Sequence, residues 1–366
     1  MTSLYIHIPF CERKCLYCSF VVSVGQRHRS DDYLECLSKE AERWRGTKIG
    51  SVYVGGGTPT FLGSDQLRRL AEIIYKNFSA ARKAEITIEA NPEGIDLAKL
   101  ALLRQMGFNR VSLGVQSLND KYLKFLGRCH NRAQAISAYE NLRASGFSNV
   151  NLDLMFSFPG QTSQEIEDDV RAICRLDSEH VSLYSLTVEE KSRFYAQKMI
   201  LNEADSAEQY LLVISLLEQS GFKQYEISNF ARLGKESRHN KNYWLGGDYI
   251  GLGVGAHSHS QGRRWWNISR LRDYIERMSR GESVIEGEER LSLQKRLVER
   301  LLLGLRMNIG VDLTALEREY ASPIGQSRKN KIGDFIQHGF LISDQGKLRA
   351  TPRGRLILEE LCSRLI

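Results

Sequence analysis

Tyr5-Ile-His-Ile-Pro-Phe-Cys11-Glu-Arg-Lys-Cys15-Leu-Tyr-Cys18 places three cysteines directly behind a short apolar run, Leu4–Pro9. Thiolates at Cys-x3-Cys-x2-Cys spacing can wrap one compact metal centre. A structural zinc site usually takes four protein ligands and pairs one CxxC knuckle with another. No second pair exists here, because Cys36, Cys129, Cys174 and Cys362 stand alone. Iron–sulfur clusters also take cysteine thiolates, most often four. Three ligands leave one iron with an open position, the property of a centre that binds something else. The competing readings are three buried cysteines in a loop, or zinc completed by His7.

Moving outward, the first two-thirds of the chain repeats a short β-branched run followed by an amphipathic segment. The runs are Leu4–Pro9, Val52–Val54, Glu85–Ala90, Arg110–Gln116, Asn149–Phe156 and His180–Thr187. Several are nearly continuously apolar, as strands covered on both faces are. Helical patterns alternate with them: Asp32–Trp44, Ser64–Phe78 with Ser64 as N-cap, Asp96–Met106, Ala133–Ala144, Ser163–Cys174 and Ala204–Ser220. Six such units imply parallel strands with right-handed crossovers. Unusual polar and glycine residues fall at the strand ends: the cysteines, Gly55-Gly56-Gly57-Thr58, Glu89, Gln116, Asp153 and Thr187. A barrel brings such ends to one mouth, whereas an open sheet concentrates its site at two adjacent strands. The expectation is therefore an α/β fold with a partial six-stranded βα barrel over residues 1–221. Residues 222–289 lack a clear period and are read as an extension closing the barrel. From about 290 the pattern is helices Leu291–Met307, Leu313–Tyr320 and Gln326–Gly339, a hairpin in Phe340–Ala350 and a last helix Pro352–Leu365. That order resembles a small winged-helix domain.

The composition is that of a globular chain: 366 residues, 42% hydrophobic and 26% charged. The net charge of +7 is unevenly placed. Residues 290–366 hold 14 Lys/Arg against 8 Asp/Glu, so +6 belongs to the tail. Nucleic acid, an anionic membrane surface or an acidic ligand would suit it, and so would a solvated basic face. No stretch approaches the roughly 18 apolar residues of a membrane span. The start lacks the order of a signal peptide. Together these features lead to the expectation of a cytosolic protein with reduced thiols.

Cys-x3-Cys-x2-Cys after a first strand resembles the radical S-adenosylmethionine (SAM) superfamily. The stretch from Tyr5 to Cys18 is similar to one branch, the anaerobic coproporphyrinogen III dehydrogenases of HemN type and the related HemW-type haem chaperones. The resemblance covers nearly the whole chain. It implies that Cys11, Cys15 and Cys18 hold a [4Fe–4S] cluster whose fourth iron is chelated by SAM. It also implies that Tyr5 lies against cluster and SAM, and that backbone at Tyr17 meets the adenine. Gly56, Gly57 and Thr58, within the Gly-Gly-Gly-Thr-Pro segment, would meet the SAM amino group, since glycine lets backbone approach a ligand closely. Glu89 matches a carboxylate that pairs with SAM. Gln116 and Arg128 match polar and carboxylate-binding positions, Asp153 the ribose-binding acid, and Thr187 an adenine contact.

Two departures separate the chain from the dehydrogenases. Their fourth cysteine, two residues after the third, is replaced by Phe20, and with a first strand beginning at Leu4 their longer N-terminal extension is expected to be absent. His239-Asn240-Lys241-Asn242-Tyr243-Trp244 matches the HNxxYW signature of the chaperone branch. The resemblance thus implies a chaperone that binds haem as cargo and passes it to apo-proteins such as respiratory enzymes. His239 is the candidate axial ligand, imidazole being a good ligand for haem iron, with His257 a second. A hydrogen-bonded structural role is the alternative for His239. Gly251-Leu-Gly253-Val-Gly255 fails as a dinucleotide fingerprint because no amphipathic helix follows it. Homodimerisation and peripheral membrane association are further expectations. The other function classes are an active coproporphyrinogen III decarboxylase and a DNA-binding regulator acting through the basic tail.

Overall fold

The structure is a computed structural model that describes residues 1–201 and 203–366, and side chains for 1–201 and 206–366. Six parallel strands form its centre: β1 (Thr2–Ile8), β2 (Thr47–Gly56), β3 (Phe78–Ala90), β4 (Arg110–Gln116), β5 (Val150–Phe156) and β6 (His180–Ser185). Each pairs in parallel with the next in chain order. The helices between them include α1 (Ser30–Glu42), α2 (Ser64–Asn77), α3 (Leu97–Gln105), α4 (Asp120–Leu126), α5 (Arg132–Ala144), α6 (Ser163–Arg175) and α7 (Glu203–Gln219).

The strands alternate more cleanly than their composition suggests. Leu4, Ile6 and Ile8 of β1 belong to one apolar core, as do Val52, Val54, Ile86, Ile88, Val111, Leu113, Leu152, Leu154, Val181 and Leu183. That core also contains Leu34 and Leu37 of α1, Leu67 and Leu70 of α2, and Val170 and Ile173 of α6. Each fully buried side chain of this kind stabilises the fold by roughly 1.5–3 kcal/mol. The residues between them carry polar groups and bond to one another across strands: Ser3 with Ser51, Tyr53 with Glu89, Asn151 with Ser112 and His180. So the helix-facing side is apolar and the barrel interior is polar, the period-two consequence of the pleat. The expectation of strands apolar on both faces is corrected on this point.

Helix starts follow side-chain capping. Asp96 accepts from Lys99 N at 2.7 Å, and Asn131 and Thr162 close capping boxes with Gln134 and Glu165. Ser64, the expected cap, is instead the first helical residue, and Gly63 N donates to Gln66 Oε1 at 3.0 Å.

Residues 223–290 join the same sheet at both edges. Of the short strands β7 (Lys223–Gln224) and β8 (Asn229–Ala231), β8 pairs antiparallel with β6 and β7 pairs antiparallel with β8 at the edge. On the far side β9 (Tyr249–Leu252) pairs in parallel with β1, and β10 (His257–Ser260), β11 (Arg263–Asn267) and β12 (Ile285–Arg290) follow in antiparallel order. A buried carboxylate fixes this flank: Glu40 of α1 accepts from Gly253 N at 2.8 Å, Asn267 Nδ2 at 2.6 Å and the Tyr274 hydroxyl at 2.6 Å. Between the two edges runs α8 (Arg238–Trp244). No 3.6-residue pattern marks it in the sequence, because it is seven residues long and seated by polar contacts. The Glu85 carboxylate accepts from Arg238 N and His239 N, both at 3.1 Å.

A second apolar core runs from Leu297 to Leu365. It is built by α9 (Leu293–Leu305), α10 (Leu313–Glu319), α11 (Gln326–Gln337), a hairpin of β13 (Leu341–Asp344) and β14 (Lys347–Ala350), then α12 (Pro352–Leu356) and α13 (Leu358–Leu365). Gln345 and Gly346 turn the hairpin with positive φ at both positions, as a two-residue turn of this hand requires. The single last helix expected over Pro352–Leu365 breaks at Ile357.

A candidate cluster and cofactor site at the strand ends

The C-terminal ends of β2 to β6 and the cysteine loop enclose a cavity of about 480 Å3. Cys11, Cys15 and Cys18 line one wall, and all three are free thiols. Burial pushes the Cys11 thiol up to about 11, against the lowering effect of the Thr58 hydrogen bond and with a further rise from Cys18 and Cys15. Among the described residues no three His, Cys, Asp or Glu side chains converge closely enough for a single metal ion. His7 is not available to complete a zinc site, since Nδ1 is bonded to the Tyr5 hydroxyl at 2.9 Å and Nε2 to the Val21 carbonyl at 2.8 Å. Thiols along one wall of a roomy cavity fit a group larger than one ion.

The glycine segment fits the same view. A Cβ on Gly57 would stand 2.8 Å from the Phe10 carbonyl oxygen and 2.9 Å from Cys11 Sγ. Gly56 has φ +113, which only glycine adopts freely, and a Cβ there would meet the His7 ring at 2.5 Å. The turn after β2 therefore lies hard against the cysteine loop. Thr58 Oγ1 is 3.5 Å from Cys11 Sγ and accepts from Asn91 Nδ2 at 3.0 Å.

Arg128 ties the loop to the barrel. It donates to Cys15 Sγ at 3.4 Å, to Asn91 Oδ1 at 2.8 Å and to the Gly114 carbonyl at 2.8 Å, while its buried Nε has no partner. Glu89 accepts from the Tyr53 hydroxyl at 2.8 Å and Gly56 N at 3.0 Å. Burial outweighs these bonds and pushes its carboxyl up to about 7. Asp153 behaves likewise: burial raises it to about 6 against hydrogen bonds from Asn151 and Ser112 and the charge of Arg110. Gln116 has φ +67 and an unpartnered buried Oε1. A strained non-glycine residue with an unsatisfied amide oxygen at a strand end is a position that a ligand completes. Tyr17 and Thr187 line the same cavity, Thr187 donating to Glu189 Oε1 at 3.0 Å.

So the structure brings together the three cysteines, Tyr17, Gly56, Gly57, Thr58, Glu89, Gln116, Arg128, Asp153 and Thr187. Two expected residues lie elsewhere. Tyr5 stacks on Tyr53 at 6.3 Å but does not line the cluster cavity. His239 is at the opposite, N-terminal end of the barrel, 1% exposed. Its Nδ1 is 3.1 Å from Ser51 Oγ and its Nε2 3.0 Å from the Tyr243 hydroxyl. Burial holds the ring down to about 3 and hence neutral. The expectation that His239 offers a nitrogen to haem iron is corrected for this conformation: both ring nitrogens, one donating and one accepting, are hydrogen-bonded in the barrel floor, and the side chain is buried. Residues missed from sequence include Tyr53, which orients Glu89, and Asn91, which bridges Thr58 and Arg128. Tyr53 could have been found by stepping two residues back from Gly55, because alternate residues share a face.

The comparisons agree with this architecture. The radical SAM superfamily model matches residues 5–173, and the HemN C-terminal domain model matches residues 291–357. The chain is 35% identical to the heme chaperone HemW of Bacillus subtilis, over 99% of this chain and 98% of that protein. It is 33% identical to the heme chaperone HemW of Mycobacterium tuberculosis, over 99% and 94% of the two chains. Among solved structures, coproporphyrinogen III oxidase (HemN) from Escherichia coli, a radical SAM enzyme, superposes with a TM-score of 0.87 and 26% identity, covering 100% of this chain and 89% of that one. The two relatives named HemW match from barrel to C-terminal domain, and this chain belongs to the HemW family of radical SAM proteins.

Proposed function

We propose that this protein is a haem chaperone that binds haem and passes it to apo-proteins such as respiratory enzymes, and that it retains a cluster and SAM. The observation that carries the reading is full-length identity to proteins named heme chaperones. Phe20, 67% exposed at the position of the dehydrogenases' fourth cysteine, supports it, since a phenyl ring can neither ligate nor carry a proton. When bound, the cluster and SAM supply one-electron chemistry. Cys11, Cys15 and Cys18 would hold the cluster, and Arg128 would fix the loop through Cys15. Glu89 would face the SAM ammonium, Gln116 and Arg128 its carboxylate, Asp153 the ribose, and Tyr17 and Thr187 the adenine. No helix among the described residues is long and apolar enough to cross a membrane. A cytosolic site of action, with peripheral membrane contact during delivery and a homodimer, is part of the proposal.

The second reading is oxidative decarboxylation of coproporphyrinogen III, favoured by the superposition on HemN. One experiment separates the two. Anaerobically reconstituted protein is titrated with hemin and, in parallel, incubated with coproporphyrinogen III, SAM and a reductant. The chaperone reading expects stoichiometric hemin binding and no product. Product lacking two carboxylates would overturn it, as would an absence of hemin binding.

A further inference from the structure

A second cavity, about 740 Å3, opens between the β9–β11 flank of the sheet and α9 of the C-terminal domain. Its size lies within the roughly 300–1,000 Å3 of small-molecule sites. Ser19 and Phe20, immediately after Cys18, line both this cavity and the cluster cavity. The HNxxYW helix reaches it from below: Tyr243 and Trp244 form part of the wall, although His239 does not.

The remaining wall has two chemistries. His257 and His259 project from one face of β10, being two residues apart. They are not equivalent. His259 Nδ1 is 3.8 Å from Asp248 Oδ1. His257 is exposed, stacks on Trp266 at 5.9 Å and has no hydrogen-bond partner on its ring among the described residues. Arg264 stands beside His259 on the neighbouring strand β11, and Arg296 and Arg300 come from α9. Arg264 is paired with Glu289 and Glu299. Arg296 lies over the Tyr320 ring at 5.4 Å and Arg300 donates to the Trp244 carbonyl at 3.3 Å. Neither has a carboxylate partner within ion-pair distance among the described residues, though Glu319 lies on the same wall. A free imidazole, an aromatic wall and two unpaired guanidiniums in one cavity match the iron, the macrocycle and the two propionates of haem.

We propose that this cavity is the haem site, with a ring nitrogen of His257 as an axial ligand and Arg296 and Arg300 on the propionates. The assignment rests on the haem-chaperone reading and moves the ligand from the signature histidine to β10. Binding forms one nitrogen–iron bond and displaces a water or chloride from ferric iron, with no change of oxidation state.

The test titrates hemin and hemin dimethyl ester into the full-length protein, followed by the Soret band. His257→Ala is expected to weaken hemin at least tenfold and to shift the band. His257→Met, which retains a ligating atom, is expected to keep binding with a different band. The double variant R296Q/R300Q is expected to weaken hemin about a hundredfold, at tenfold for each charge-assisted contact, while leaving the ester unchanged. Wild-type binding that all three variants preserve, with unaltered spectra, overturns the site and leaves the chaperone reading standing. Equal losses for hemin and ester in R296Q/R300Q overturn the propionate assignment. Failure of the wild type to bind hemin overturns both.

Discussion

Replacing Glu89 by glutamine separates the carboxylate's two effects, on the fold and on the ligand. Burial pushes the Glu89 carboxyl up from the usual 4.5 to about 7. At about 1.36 kcal/mol per pH unit, ionising it costs the folded protein about 3 kcal/mol at pH 8. Because the folded value is raised, this cost is absent well below pH 4.5, grows between 4.5 and 7, and is complete above 7. Glutamine removes it, and its amide can still accept from Gly56 N while donating to the Tyr53 oxygen. Cluster- and SAM-free E89Q is therefore expected to melt about 2–5 °C above wild type at pH 8. At pH 5 the gain shrinks to about 1 kcal/mol. The same change removes the anion that faces the SAM ammonium. Loss of a buried charge partner is worth about 2–5 kcal/mol, so SAM binding is expected to weaken about thirtyfold or more at pH 8. Wild-type SAM affinity should also fall as pH drops below about 7, and that of E89Q should not. Thermal melts at both pH values and equilibrium dialysis with SAM read these quantities. A variant that binds SAM as wild type does, or whose melting shift is the same at pH 5 and pH 8, would refute the reasoning.

Other perturbations act on contacts with fewer terms. Gly57→Ala drives a methyl to 2.8 Å from the Phe10 carbonyl and 2.9 Å from Cys11 Sγ; most of the iron retained after reconstitution should be lost while the fold, by circular dichroism, persists. Gly253→Ala meets both a φ of +94 and the Tyr33 hydroxyl at 2.1 Å; it should destabilise by about 2–4 kcal/mol in denaturant titration by loosening the Glu40 flank. His239→Ala leaves the Tyr243 hydroxyl without its ring partner and Ser51 with Ser3 alone, and it opens a void in the barrel floor. It should cost about 2–4 kcal/mol of stability yet change hemin affinity by less than about threefold in the folded protein, and a larger loss at unchanged melting temperature would restore His239 as a ligand.

The basic tail illustrates how a sequence count changes meaning on folding. Arg328 donates to the Leu365 and Ile366 carbonyls and Lys331 to that of Arg364, so both cations serve the C-terminal end of the last helix. Lys329 pairs with Glu317, and Arg355 bonds to Gln224 across to the sheet. These contacts hold the domain together and seat it on the barrel. Arg296 and Arg300, by contrast, face a cavity, and the charge count alone does not distinguish the two groups.

The amino-acid sequence by itself determined the cluster loop, the order of βα units and most of the cofactor wall. These are local features: the spacing of Cys11, Cys15 and Cys18, and polar residues at the ends of apolar runs, which parallel strands must bring to one end. Alternation along Ser3–Ile8 or Ser51–Gly55 likewise tells which residues share a face. Which face is inside, and what meets there, was decided only by the tertiary structure. Ser51 and His239 are 188 residues apart, and their bond exists because a seven-residue helix with no apolar period is held under the barrel by Glu85. The same closure takes His239 off the surface, and the packing of α9 against the sheet edge leaves His257 open in a cavity with two unpaired arginines. No local pattern encodes such a meeting, because it depends on where three distant segments come to rest against one sheet edge.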